Sequence, residues 1–60
     1  MLTVYFTTGD EVTGEFAEVP GNDMAAVVDY VDGITFALFK EVSGKEIVLS
    51  TSQIIKITPA

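Results

Sequence analysis

The chain has no cysteine and no histidine among its 60 residues, which excludes disulfides and removes the usual zinc ligands. A domain this small buries only about 60% of the surface its unfolded chain exposes, so its stability alone is marginal. With disulfides and the usual zinc ligands excluded, oligomerisation is the remaining standard way to stabilise it. Cations are scarce as well. Three lysines, Lys40, Lys45 and Lys56, face nine acids, for a formal charge of −6 and a pI near 4.1. Phosphate backbones are bound mainly through Lys and Arg, so this balance argues against tight nucleic-acid binding by the surface as a whole. The charge is segregated, however: seven of the nine acids precede position 33, and all three lysines lie at or beyond position 40. One face of an assembly can therefore be less negative than another.

Long apolar runs are missing too. No stretch approaches the roughly 20 residues a membrane helix needs, and no basic segment precedes an apolar one at the N-terminus. The expectation is a soluble, unexported chain, cytoplasmic by default. No glycine-rich phosphate loop is present, because the five glycines are scattered. Without histidine or cysteine, the available bases are carboxylates and lysines, and no serine or threonine has a base and an orienting group at catalytic spacing. Asp10 with Glu11, Glu15 with Glu18, and Asp29 with Asp32 would hold a divalent cation only if folding gathered them, and read more simply as solvated faces and turns. The chain is expected to be no enzyme, to hold no metal and to need no cofactor.

What the sequence does have is a high apolar load, 48% of residues with mean hydropathy +0.44, arranged with period two. Leu2 to Thr8 and Val12 to Val19 alternate apolar and polar residues on either side of Gly9-Asp10, the pattern of two half-buried strands joined by a hairpin turn. Leu2, Val4, Phe6, Val12 and Phe16 fall on the expected inner face. Gly14, inside the second strand, marks a sharp bend or a close approach of another backbone. Ile34 to Glu41 predicts a further strand, and Ser43-Gly44-Lys45 a turn into Glu46 to Ser50. No repeat or linker interrupts the chain, so residues 1–60 are read as one domain.

The segment from Pro20 to Val31 is ambiguous. Met24, Val27, Val28 and Val31 share a helical face, with Asn22 or Asp23 as N-cap. The β-branched and aromatic content of Val27 to Val31, followed by Asp32-Gly33 in the form of a two-residue hairpin turn, tips the balance slightly towards strand.

The first hairpin resembles the first signature of the Sm-like family, which comprises Sm, LSm and bacterial Hfq proteins. Its pattern of apolar and glycine positions is filled here by Val4, Phe6, Gly9, Val12, Gly14 and Phe16. Ile47 to Pro59 is similar to the closing pair of strands of that family, with Ser50-Thr51-Ser52-Gln53 as the link. The resemblance implies an all-β fold, a small, bent, five-stranded SH3-like or Sm-like barrel with an inserted segment around residues 20–31. It further implies a homo-oligomeric ring of about five to seven subunits with closed cyclic symmetry. In such rings the fourth strand of one subunit pairs with the fifth of the next, which places Ile47, Val48, Leu49, Ile54, Ile55 and Ile57 at the seam. Apolar residues on both faces of the strands agree with this, since Ile34, Phe36 and Leu38 oppose Ala37 and Phe39, and Ile54 is opposed by Ile55 and Ile57. For Ile55 and Phe39 the simpler alternative is an exposed hydrophobe.

The resemblance also implies binding of single-stranded RNA at the pore. Carried over by position, the contacts fall on Asp32, Ile34, Ser50, Thr51, Ser52 and Gln53, with Thr35 near the place of the family's asparagine and Asn22 as a weaker substitute. Where Sm proteins carry Arg-Gly and Hfq a Tyr-Lys-His run, this chain has hydroxyls and an amide. Those groups can hydrogen-bond a uracil edge but cannot neutralise phosphate. Tyr5 and Phe39 would stack on bases if exposed, although such residues are more often core or interface. The same assembly without RNA chemistry, as a protein-interaction ring or an acidic mimic of nucleic acid, is the alternative.

Overall fold

A computed structural model describes residues 1–60. The strands are β1 (Leu2–Phe6), β2 (Glu11–Phe16), β3 (Phe36–Glu41), β4 (Glu46–Ser50) and β5 (Ile54–Pro59); one helix, α1 (Met24–Asp32), lies between β2 and β3. Single 3-10 turns occupy Pro20–Asn22 and Thr51–Gln53. All five strands join in one antiparallel sheet of spatial order β4-β3-β2-β1-β5, an all-β, barrel-like fold.

Alternation decides which side of each strand faces inward. Leu2, Val4, Phe16, Ala37, Phe39 and Leu49 are buried, and α1 and the turn before it add Val27 and Val19 to the same core. Phe6 and Val12, expected inside, are only half-buried and pack on the margin of this cluster. The two rings at the centre, Phe16 and Phe39, meet edge to face at 5.0 Å between centroids, and Tyr30 of α1 meets Phe16 at 6.0 Å. Each such aromatic pair adds about 0.5–1.5 kcal/mol beyond its area burial. Phe39 is therefore neither an exposed hydrophobe nor a stacking platform: with no exposure at all, it is the floor of the core.

The segment between β2 and β3 corrects the slight preference for strand. Residues 24–32 are helical, and the reason lies at both ends. The Asp23 carboxylate accepts the Ala26 N–H at 3.4 Å, supplying the N-cap. At the other end, Gly33 has φ −97° and ψ 0°. A two-residue hairpin turn at Asp32-Gly33 would need left-handed backbone there, so Gly33 closes a helix instead. Val27 is fully buried while Ala25, Ala26 and Asp29 face solvent, which is the periodicity of a helix lying on a sheet. Two element boundaries also shift: β2 ends at Phe16, short of Val19, and β3 begins at Phe36, leaving Ile34 and Thr35 in the link after the helix.

Asn22 takes a role that its candidacy as a helix cap or an RNA contact missed. Its side chain is buried and completes three hydrogen bonds: its Oδ1 accepts the Phe16 N–H at 2.7 Å, and its Nδ2 donates to the carbonyls of Phe16 at 3.1 Å and Val19 at 2.7 Å. The end of β2, where the ladder stops, thus finds its backbone partners in one side chain.

Both edges of the sheet are open. β4 has β3 on one side and β5 has β1 on one side, and no pairing joins the two although only Thr51–Gln53 separates them in sequence. The 3-10 turn redirects the chain so that β5 crosses to the far side of β1. It is held there by the Thr7 N–H donating to the Gln53 carbonyl at 2.8 Å. On the outer face the exposed apolar residues are Phe36 and Val48, with Ile55 on the other edge.

Candidate functional site

The helix exit and the β4–β5 link meet to form one open groove of about 440 Å³, lined by Val28, Val31, Asp32, Ile34, Thr35, Thr51, Ser52 and Ile54. Thr51 builds it. Its Oγ1 donates towards the Ile34 carbonyl at 2.7 Å, with the Thr35 carbonyl at 3.1 Å, and its backbone N–H donates to the Thr35 carbonyl at 3.0 Å. A residue 16 positions away in sequence thereby fixes the backbone that follows α1.

Of the six residues assigned to nucleic-acid contact, the fold brings four to this groove: Asp32, Ile34, Thr51 and Ser52. Ser50 stands behind it, its hydroxyl 3.0 Å from that of Ser52. Gln53 turns away, since its Oε1 accepts the Thr7 hydroxyl at 2.6 Å. Thr35 joins the lining, whereas Asn22 and Phe39 are excluded by burial. Of the remaining wall, Val28 and Val31 were missed as site, and Ile54 was assigned to the seam. The signal was present in the helical spacing of Val28 and Val31, and the slight lean of that stretch towards strand obscured it.

Chemically the groove has an apolar side, Val28, Val31, Ile34 and Ile54, and a polar rim of Asp32, Thr35 and Ser52. A flat apolar ring with hydrogen-bonding edges suits such a slot: the aliphatic side chains cover its faces, the carboxylate accepts from an N–H, and the hydroxyls donate or accept. No lysine lines it. The cation lying over an aromatic ring is elsewhere, Lys56 Nζ being 4.5 Å from the Tyr5 centroid on the outer face. No group of three or more acidic side chains is gathered to hold a metal ion.

The residues assigned to a seam divide by burial. Val48 and Ile55 are about two-thirds exposed, and Ile47, Ile54 and Ile57 are half-buried. Leu49 is the exception: its side chain is buried opposite Ala37, so it belongs to the core and only its backbone lies on the β4 edge. Ile55 owes its exposure to a β-bulge. Tyr5 pairs with Lys56 and Phe6 with Ile54, which leaves Ile55 without a partner on β1. No helix is long and apolar enough to cross a membrane. No family model, curated protein or solved structure matches the chain.

Proposed function

We propose that the chain is a self-assembling, Sm-like subunit whose β4 and β5 edges pair between copies into a homomeric ring, and whose groove at the α1 exit receives a base of single-stranded RNA. The observation that carries the reading is the pair of open edges with Val48 and Ile55 exposed on them. An unpaired edge with apolar side chains is a template for another strand, and Glu46 on β4 and Lys56 and Pro59 on β5 blunt these two edges only in part. Cyclic head-to-tail pairing covers both at once. The groove supports the RNA half because it collects Asp32, Ile34, Thr51 and Ser52, and repeating it around a ring would present successive sites to a strand.

A second reading, an assembly module that engages protein and no RNA, is favoured by the formal charge of −6 and by the absence of lysine from the groove. Light scattering after size-exclusion chromatography is expected to give about five to seven times the 6.4 kDa subunit mass. Fluorescence anisotropy with labelled oligo(U) and oligo(A) at low salt is then expected to show weak binding that salt abolishes. A ring without any oligonucleotide binding selects the second reading, and a monomer defeats both.

The edge itself has a direct test. Ile55→Pro removes an N–H from β5 at the bulge, where no β1 residue is paired, and the preceding Ile54 already has extended backbone, φ −83° and ψ 125°. The subunit is expected to keep its circular dichroism spectrum and lose its assembly. Assembly unchanged from wild type would remove β5 from the seam.

A further inference from the structure

Two cross-strand rows of side chains on the outer face of the sheet run out to its open edges, and they end with opposite charges. At one end Glu15 of β2 lies opposite Lys40 of β3, which lies opposite Glu46 of β4. At the other end Glu11 of β2 lies opposite Tyr5 of β1, which lies opposite Lys56 of β5. Alternation with the buried Val4 and Phe39 puts both rows outside, and Glu11, Glu15, Lys40, Glu46 and Lys56 are all exposed. Inside the subunit neither row is complete. Lys40 lies opposite an acid on either side, so by register Glu46 is an acid in excess with its far side open. Lys56 has only the Tyr5 ring beside it, which at 4.5 Å holds the ammonium over the outer face.

We infer that the partner of the β4 edge is the β5 edge of a second copy, set in the one register that places Glu46 opposite Lys56. This rests on the assembly proposed above and adds what selects its alignment. In that register the two rows become one, Glu15, Lys40, Glu46, then Lys56, Tyr5 and Glu11 of the next copy, with no like charges adjacent. A slip of two residues sets Lys56 against Val48 and leaves Glu46 without its cation. A slip of one brings Ile47, from the inner face, against Lys56. Opposite charges directly across a strand pair stabilise it and like charges destabilise it, so charge distinguishes registers that backbone hydrogen bonding alone leaves equivalent. The same contact covers Ile55 and Val48, the exposed apolar residues of the two edges.

The test is charge reversal followed by mixing. Glu46→Lys and Lys56→Glu each place like charges at every seam, and each is expected to raise the concentration for half-assembly about fivefold to tenfold at low salt. Neither variant meets a matching edge in its own kind. Mixed in equal amounts, the two complement each other. The lysine introduced on the β4 edge of one faces the glutamate introduced on the β5 edge of the other, and the remaining seams pair the native Glu46 with the native Lys56. An even-numbered ring matches every seam and an odd-numbered one leaves a single mismatch, so the mixture is expected to assemble at concentrations where each component alone does not. This outcome cannot arise from a folding defect. Should a reversal fail to fold, Glu46→Gln and Lys56→Gln take its place, and each is expected to remove the salt dependence of assembly. Two reversals that assemble like the wild type, or a mixture no better than its components, overturn the register while leaving the ring intact. A wild-type monomer instead removes the assembly on which the register depends.

Discussion

Gly14→Ala is expected to leave the chain unfolded at room temperature. A Cβ at position 14 would fall inside contact distance of the Lys40 carbonyl oxygen and lie 2.8 Å from the Cα of Glu41 and 2.9 Å from the Lys40 carbonyl carbon. All three are backbone atoms of β3, held in the ladder opposite Gly14 and Glu15, so they cannot swing away as a side-chain tip would. Relief requires β2 and β3 to separate, and those strands carry Phe16 and Phe39, the centre of the core. Overpacking of this kind costs about 3 kcal/mol or more. Proteins are stabilised by roughly 0.05–0.15 kcal/mol per residue, which for a chain of this length is of the order of the expected loss. A thermal melt followed by circular dichroism checks it: a cooperative transition within a few degrees of wild type would mean that the two backbones are not in close approach.

Asn22→Ala is expected to cost about 2–3 kcal/mol, a loss second only to that at Gly14. The cost comes less from the bonds removed than from what they leave behind. The Phe16 N–H would stay at the buried end of β2 without its acceptor, while the Phe16 and Val19 carbonyls would keep only the backbone N–H groups of Val19 and Asn22. Asn22 also has φ +47°, a left-handed backbone that asparagine tolerates better than alanine does. Asn22→Asp separates the two causes, since it keeps an acceptor for the Phe16 N–H and a similar backbone preference but loses the two amide donations. Urea melts should rank wild type above both variants with an unchanged slope. Equal stability of all three would mean that solvent replaces the amide.

The hairpin, the barrel class and the turns at Gly9-Asp10 and Ser43-Gly44 were legible because each is a local signal. Alternation around Gly9-Asp10 defines β1 and β2, and Gly9 and Gly44 both have φ +94°, as their turns require. Gly14 was legible for a different reason, since a glycine inside a strand has few explanations. The helix was less so. Val27, Val28 and Val31 suit either period, and what decided between them was the Asp23 cap and the burial of Val27 in the same core as Phe16 and Phe39, which is tertiary information. The site followed the same division. Asp32, Ile34, Thr51 and Ser52, which line the groove, were singled out through a positional resemblance, whereas Val28 and Val31 became visible only with the helix. Asn22 was missed entirely, because a polar residue after Pro-Gly looks like an ordinary turn, and its burial depends on a strand end six residues earlier.

The spatial order of the strands sets the order in which the chain can fold. Three of the four pairings join strands adjacent in sequence, but β1 is flanked on its other side by β5, the last of the five strands to be synthesised. Until β5 docks, β1 is itself an open edge, with Ile54 and Ile57 absent from the margin of the core that they complete. Loop-closure entropy makes that pairing the slow one. The nascent chain therefore exposes a different edge from the finished one, and the β5 edge comes into existence only at the step that completes the fold.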